Sequence, residues 1–157
     1  MEKEERTPEF NEMQKVKRQF FALRNGVVAD ALRRAGLPHR IIFGLSVVDL
    51  KMIAREVGVN TELSEMLRDN VSTRESRLLW PMIADASLVD EDGAMKMLSE
   101  VMSREEADIL CNTLLRKCGC SAAAADRLEA SADATPLQRY AVMRMRAALG
   151  VREDLAM

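Results

Sequence analysis

The stretch STRESRLL at residues 72–79 decides the fold class, because the same kind of helix start recurs twice further along the chain. Ser72, followed three residues later by Glu75, predicts a capping box in which both side chains satisfy free backbone N–H groups. SREE and TPLQ repeat the pattern after 31 and 32 residues. A period of about 31 residues is the length of one helical-hairpin repeat, a helix followed by a return helix. Stacking of such hairpins buries their apolar faces.

Outward from these starts, the rest of the chain also follows helical spacing. Pro8 opens a first apolar stripe that Asn25-Gly26 either splits or weakens, and Gly36 ends it. Residues 37–45 form a connector, and later helices begin at Ser46 and Asn60. Partner helices are predicted near residues 90–101 and 121–130. We therefore predict an all-α fold, a short α-solenoid of stacked hairpins, with an irregular helical bundle as the alternative.

Composition supports a globular chain rather than a disordered one. Apolar residues make up 48% and charged residues 31%, whereas aromatic residues make up only 4%. We predict a single domain over residues 1–157, with residues 1–7 and 151–157 as flexible ends. No apolar run is long enough to span a membrane, the charged N-terminus does not resemble a secretory signal, and three cysteines fit a reducing cytoplasm.

Charge is distributed unevenly along the chain. The net charge is −2, yet residues 15–55 carry nine basic and two acidic side chains, a local +7. This segment is either a solvated set of helix faces or a patch for phosphates or an acidic protein partner. The candidate DNA-binding arginines within it are Arg18, Arg24, Arg33, Arg34 and Arg40.

No residue pattern indicates a metal, a cofactor or a catalytic triad. His39 is the single histidine and stands in a loop, where a solvated or locally bonded side chain is the favoured interpretation. Cys111, Cys118 and Cys120 lack a fourth ligand and the usual zinc spacing, so metal binding and a redox role are both disfavoured. Trp80, which precedes a helical proline, is interpreted as a packing residue rather than a platform for a base.

Three stretches resemble the AlkD-like DNA alkylation repair family, which is built from HEAT-like repeats. They are FGLSVVDL at residues 43–50, STRESRLL at 72–79 and LQRYA at 137–141. Together they place the resemblance between residues 40 and 148. It implies a HEAT-like solenoid that binds double-stranded DNA.

The family removes alkylated bases, and its chemistry implies two aspartates on one helix and an arginine from a later helix. Asp108 matches the first aspartate and Arg139 the arginine, but Cys111 replaces the second aspartate and Ala107 replaces a tryptophan. A carboxylate stabilises positive charge on the sugar, whereas a thiol with a pKa of about 8.5 is largely neutral.

The resemblance therefore implies a helical-repeat protein that binds the DNA backbone and carries a degenerate glycosylase site, with Arg139 as a further DNA-binding candidate. The alternatives are a non-enzymatic protein-interaction scaffold and an active glycosylase with Asp108 as its catalytic residue.

Overall fold

The computed structural model describes the backbone of residues 8–156 and the side chains of residues 12–150. Within these limits the chain forms α-helices, two short 3-10 turns at residues 86–88 and 115–117, and no strand. The helices are α1 (Pro8–Ala22), α2 (Gly26–Arg34), α3 (Val47–Val57), α4 (Thr61–Asp69), α5 (Arg74–Ile83), α6 (Glu91–Ser99), α7 (Arg104–Thr113), α8 (Ser121–Glu129) and α9 (Pro136–Ala156). The all-α prediction is confirmed, and the HEAT-like stacking of hairpins stays a prediction.

Local side-chain caps explain where most of these helices begin. Asn25 accepts hydrogen bonds from the backbone N–H groups of Val27 and Val28, so the first apolar stripe is split into two helices. Thr135 and Gln138 form a reciprocal capping box, with N···O distances of 3.1 and 2.9 Å. Both caps lie within three residues of their partners; the sequence pattern predicted the one at Thr135 and left open whether Asn25-Gly26 splits or weakens the stripe.

The other two predicted capping boxes, at Ser103 and Ser72, have different outcomes in the structure. Ser103 caps α7 by accepting from the Glu106 N–H at 3.1 Å, and Glu106 accepts in return from Met102 rather than from Ser103. The box at Ser72 was predicted wrongly. Thr73 occupies the N-cap position of α5, and the Glu75 carboxylate binds the connector some 30 residues upstream instead.

Contacts divide the chain into two compact units, residues 1–84 and residues 85–157. In the first unit α5 packs against α3 and α4, while α1 packs against α4. Its core consists of fully buried side chains, each worth about 1.5–3 kcal/mol of burial, among them Phe20, Leu50, Leu63, Leu67 and Leu78. The prediction that residues 1–157 form one domain is not tested by this division and stays a prediction.

In the second unit α6 packs against α8, and α9 packs against α7 and α8. Small residues are frequent in the core of this unit. Its fully buried side chains include Ala94, Ala107, Ala124 and Ala141, together with Leu98 and Met145. The low aromatic content of the sequence fits such a core of small and aliphatic side chains. No helix among the described residues is long and apolar enough to cross a membrane.

Two residues singled out by the sequence are buried in the first unit. Trp80 is 3% exposed, with the Arg68 guanidinium 5.1 Å from its ring centroid, so its ring has no free face for a base. The packing interpretation of Trp80 therefore fits the structure. His39 is 2% exposed, so the solvated position considered for it is wrong.

Candidate nucleic-acid interface

The nine basic side chains of residues 15–55 are all solvent-exposed. We define the basic surface by its nine members, which lie on α1, α2, α3 and the loops around α2: Lys15, Lys17, Arg18, Arg24, Arg33, Arg34, Arg40, Lys51 and Arg55. Among the side chains of residues 12–150, none of the nine forms an ion pair with a carboxylate. Exposed and uncompensated cations are the groups that attract phosphates or an acidic partner.

Backbone carbonyls order three of these arginines. Arg33 donates to the Arg40 carbonyl at 3.0 Å, and Arg34 donates to the Asp30 carbonyl at 3.3 Å. Arg24 donates to the Phe21 carbonyl at 2.7 Å, and its guanidinium lies 3.8 Å from the centroid of the Phe21 ring. A guanidinium has five N–H donors, so each of these bonds fixes the head group and leaves donors for a ligand.

A buried carboxylate fixes the connector that carries Arg40. Glu75 is fully buried and accepts from the backbone N–H groups of Phe43, Gly44 and Leu45 at 2.9, 3.0 and 3.3 Å. Arg74, itself buried, donates to Glu75 at 2.6 Å and to the Leu45 carbonyl at 3.0 Å. Consecutive backbone N–H groups form a nest for anions, and here the protein's own Glu75 fills it.

Glu75 and Arg74 hold the connector in place, but both side chains are buried and neither is exposed to a ligand. Asn25, the cap of α2, donates its N–H to the Phe43 carbonyl at 2.8 Å, so the connector also fixes where α2 begins. Sequence reasoning missed this role of Arg74 and Glu75. The one signal in the sequence was the charged pair Arg74-Glu75 near a predicted helix start, and such a pair does not identify its partner.

In the second unit, Asp108 belongs to a polar cluster between α7 and α9. Its Oδ1 accepts from the Tyr140 hydroxyl at 2.8 Å and lies 2.9 Å from Nε of Arg144. The Arg104 guanidinium lies 4.9 Å from the Tyr140 ring centroid. The hydrogen bond to Asp108 raises the pKa of Tyr140. Arg144 and Tyr140 both engage Oδ1, while the Asp108 side chain remains 41% exposed.

Cys111, the residue at the family's second aspartate, is fully buried. Its Sγ lies 3.7 Å from the Ala141 carbonyl oxygen on α9. Burial raises its pKa to about 12, because a buried thiolate would lose its solvation. The thiol is therefore neutral at physiological pH and does not face a ligand.

Arg139 is exposed on α9 and lines an open groove with Glu129, Val142, Met143 and Arg146. Arg146 is paired with Asp126 at 2.8 Å and with Glu129, so Arg139 is the cation of this groove that no described carboxylate engages. Successive helical residues point about 100° apart. Arg139 therefore lies on a different part of the α9 surface from Tyr140. Asp108 lies with Tyr140 and Arg144 rather than with Arg139.

Over residues 12–150, no three or more His, Cys, Asp or Glu side chains are arranged to hold a metal ion. Comparisons with protein-family models, with curated proteins and with solved structures find nothing that matches this chain. The resemblance to the AlkD-like family therefore rests on the three sequence stretches alone.

Proposed function

We propose that this protein binds the phosphate backbone of double-stranded DNA through the basic surface and that it is not an active glycosylase. The observation that carries the proposal is the set of nine exposed cations, none of which pairs with a described carboxylate. Phosphate contacts supply most of the affinity of sequence-independent DNA binding. Arginines held by backbone carbonyls suit this role, since part of their side-chain freedom is already lost before the ligand arrives.

Binding should weaken steeply with salt, because each neutralised phosphate releases condensed counterions. If six of the nine cations contact phosphates, the slope of log affinity against log salt is about −5, and affinity falls about 10³-fold between about 50 and 200 mM salt. Fluorescence anisotropy of a labelled duplex measures this slope. No detectable binding at micromolar protein in low salt would remove the proposal.

A triple variant tests whether the basic surface is the contact. Replacing Arg33, Arg34 and Arg40 by Gln should make the slope shallower by nearly one unit for each phosphate contact removed. The matched control makes the same charge change in the second unit, with Lys96→Gln, Lys117→Gln and Arg127→Gln. Equal weakening by both triples would mean that net charge alone drives the binding and that the basic surface has no special role.

We expect no release of methylated bases from alkylated DNA, by the wild-type chain or by Asp108→Asn. Two features support this expectation: Asp108 is engaged by Tyr140 and Arg144, and Cys111 is a buried neutral thiol. The assay measures free methylpurines released from treated duplex DNA. Release by the wild type that disappears in Asp108→Asn would instead assign Asp108 a catalytic role.

A second candidate function is binding of an acidic protein partner, and exposed apolar side chains beside the basic surface favour it. Phe21, Val27, Val48 and Met52 are between 45% and 79% exposed. A phosphate backbone makes little use of such groups, whereas the centre of a protein interface is apolar. Substituting Val27 and Val48 by Ser should leave duplex binding unchanged if DNA is the ligand, and should weaken capture of an acidic protein if that is the partner.

A further inference from the structure

The second unit holds two of its three cysteines in one four-residue turn, residues 118–121. Ser121 donates its N–H to the Cys118 carbonyl at 3.3 Å, and Cys120 has φ −86° and ψ −4°. These angles are those of the third residue of a type I β-turn. Two virtual bonds of about 3.8 Å folded in a turn bring the first and third Cα atoms to about 5–6 Å. That separation lies within the range of about 4.4–6.8 Å that disulfides need.

Both thiols of this turn face the same neighbouring segment. Sγ of Cys118 lies 3.7 Å from the Ala86 carbonyl oxygen, and Sγ of Cys120 lies 3.6 Å from the Val89 carbonyl oxygen. Ala86 and Val89 belong to one 3-10 turn, closed by an N–H···O bond of 3.2 Å between them. Sγ of Cys118 also lies 3.4 Å from the Leu114 carbonyl oxygen, so the segment of residues 86–89 is the neighbour that the two thiols share.

The pair also has the unequal exposure that disulfide exchange uses. Cys120 is half-buried and reachable from solvent, whereas Cys118 is only 5% exposed. A Cβ placed on Gly119 would meet nothing within 4 Å, so the backbone between them has room to adjust. Cys111 is separate from this pair because its thiol faces Ala141 on α9.

We propose that Cys118 and Cys120 form an intramolecular disulfide by exchange with a low-molecular-weight disulfide such as oxidised glutathione. The spacing of the cysteines in the sequence argued against a redox role, whereas their position in one turn favours a disulfide between them. The Cys120 thiolate attacks one sulfur of the glutathione disulfide, whose S–S bond breaks, and the released glutathione thiolate takes up the proton that Cys120 lost.

In the second step the Cys118 thiolate attacks the Cys120 sulfur, and the second glutathione leaves and takes up the remaining proton. Two protein thiols are oxidised by two electrons, and one oxidised glutathione becomes two reduced molecules. Burial raises the pKa of Cys118. Ring closure should therefore be the slower step and should accelerate as the pH rises, since the thiolate is the attacking form.

Oxidation should change the segment that both thiols contact. Closing the ring removes the S–H donor of Cys120 from the Val89 carbonyl, and that of Cys118 from the carbonyls of Leu114 and Ala86, which both lie within reach of it. Residues 86–89 would then keep only their own turn hydrogen bonds, and backbone amides there should exchange with solvent faster in the oxidised protein.

Peptide mapping of the full wild-type chain tests the proposal without any variant. The reduced protein is equilibrated with oxidised and reduced glutathione, quenched in acid, unfolded in guanidinium chloride so that buried thiols can react, alkylated with N-ethylmaleimide and then digested with trypsin. Cleavage after Lys117 and Arg127 leaves both thiols in the peptide of residues 118–127, and Cys111 falls in residues 105–116. We expect peptide 118–127 to carry no N-ethylmaleimide and to be two hydrogen atoms lighter than its reduced form. Peptide 105–116 should carry one N-ethylmaleimide, on Cys111.

Variants then separate the two steps. Cys118→Ser should stop at the mixed disulfide and carry one glutathione on Cys120, whereas the matched control Cys111→Ser should form the ring as the wild type does. Three results would overturn the proposal: peptide 118–127 doubly alkylated in excess oxidised glutathione, a glutathione adduct without ring closure in the wild type, or a disulfide joining either residue to Cys111.

Discussion

Glu75→Ala should lower the free energy of unfolding of the first unit by about 3–5 kcal/mol, the cost of leaving one member of a buried ion pair without its partner. The carboxylate is fully buried and accepts three backbone N–H bonds in addition to the bond from Arg74. In the variant these donors remain buried and lose their acceptor. Because small proteins are stable by about 5–15 kcal/mol, the loss is a large part of the total.

Urea unfolding followed by Trp80 fluorescence measures this loss, because the single tryptophan is buried in the same unit. The matched control is Glu65→Ala, an exposed glutamate of the first unit, which should change stability by no more than about 0.5 kcal/mol. Glu75→Gln keeps the size of the side chain but places an N–H₂ group among N–H donors, so we expect at least about 2 kcal/mol of destabilisation. A loss below about 1 kcal/mol for Glu75→Ala would contradict the connector role.

Glu75 also shows where sequence patterns stop being informative. Ser46 and Thr135 were recognisable as helix starts because each accepts a hydrogen bond from a backbone N–H three residues away. The same pattern at Ser72 predicted a local bond for Glu75, yet its partners lie 30 to 32 residues upstream. A local motif cannot distinguish these outcomes, since either one satisfies the carboxylate.

The sequence pattern predicted which charged residues of the candidate site are exposed, but it did not predict which side chains pack against one another. Each arginine predicted in the basic surface is exposed, as expected of charged residues between apolar helical positions. The burial of Cys111, which was not predicted, fits the stripe that Ala107, Leu110, Cys111 and Leu114 form at helical spacing. In contrast, the pairing of Asp108 with Tyr140 and Arg144 depends on how α9 packs against α7, which no local pattern specifies.

Gly44→Ala should destabilise the first unit by about 2–5 kcal/mol, for two separable reasons. Gly44 has φ +86°, a left-handed conformation that costs an L-residue about 1–2 kcal/mol. A Cβ at this position would also lie 2.3 Å from the Asn25 carbonyl oxygen and 2.9 Å from the Ala29 nitrogen. Both are backbone atoms of the start of α2, so the helix must move, and forced overpacking costs about 1–3 kcal/mol more.

Gly36→Ala is the matched control that isolates the second reason. Gly36 has φ +94°, but a Cβ there would meet nothing within 4 Å, so only the conformational cost applies. Urea unfolding monitored by Trp80 should show the larger loss for Gly44→Ala, and equal losses would mean that the start of α2 yields without cost. Because α2 carries Arg33 and Arg34, the salt dependence of duplex binding should also become shallower in Gly44→Ala and stay unchanged in Gly36→Ala. Weaker binding at an unchanged slope would mean that the displaced helix does not contact phosphates.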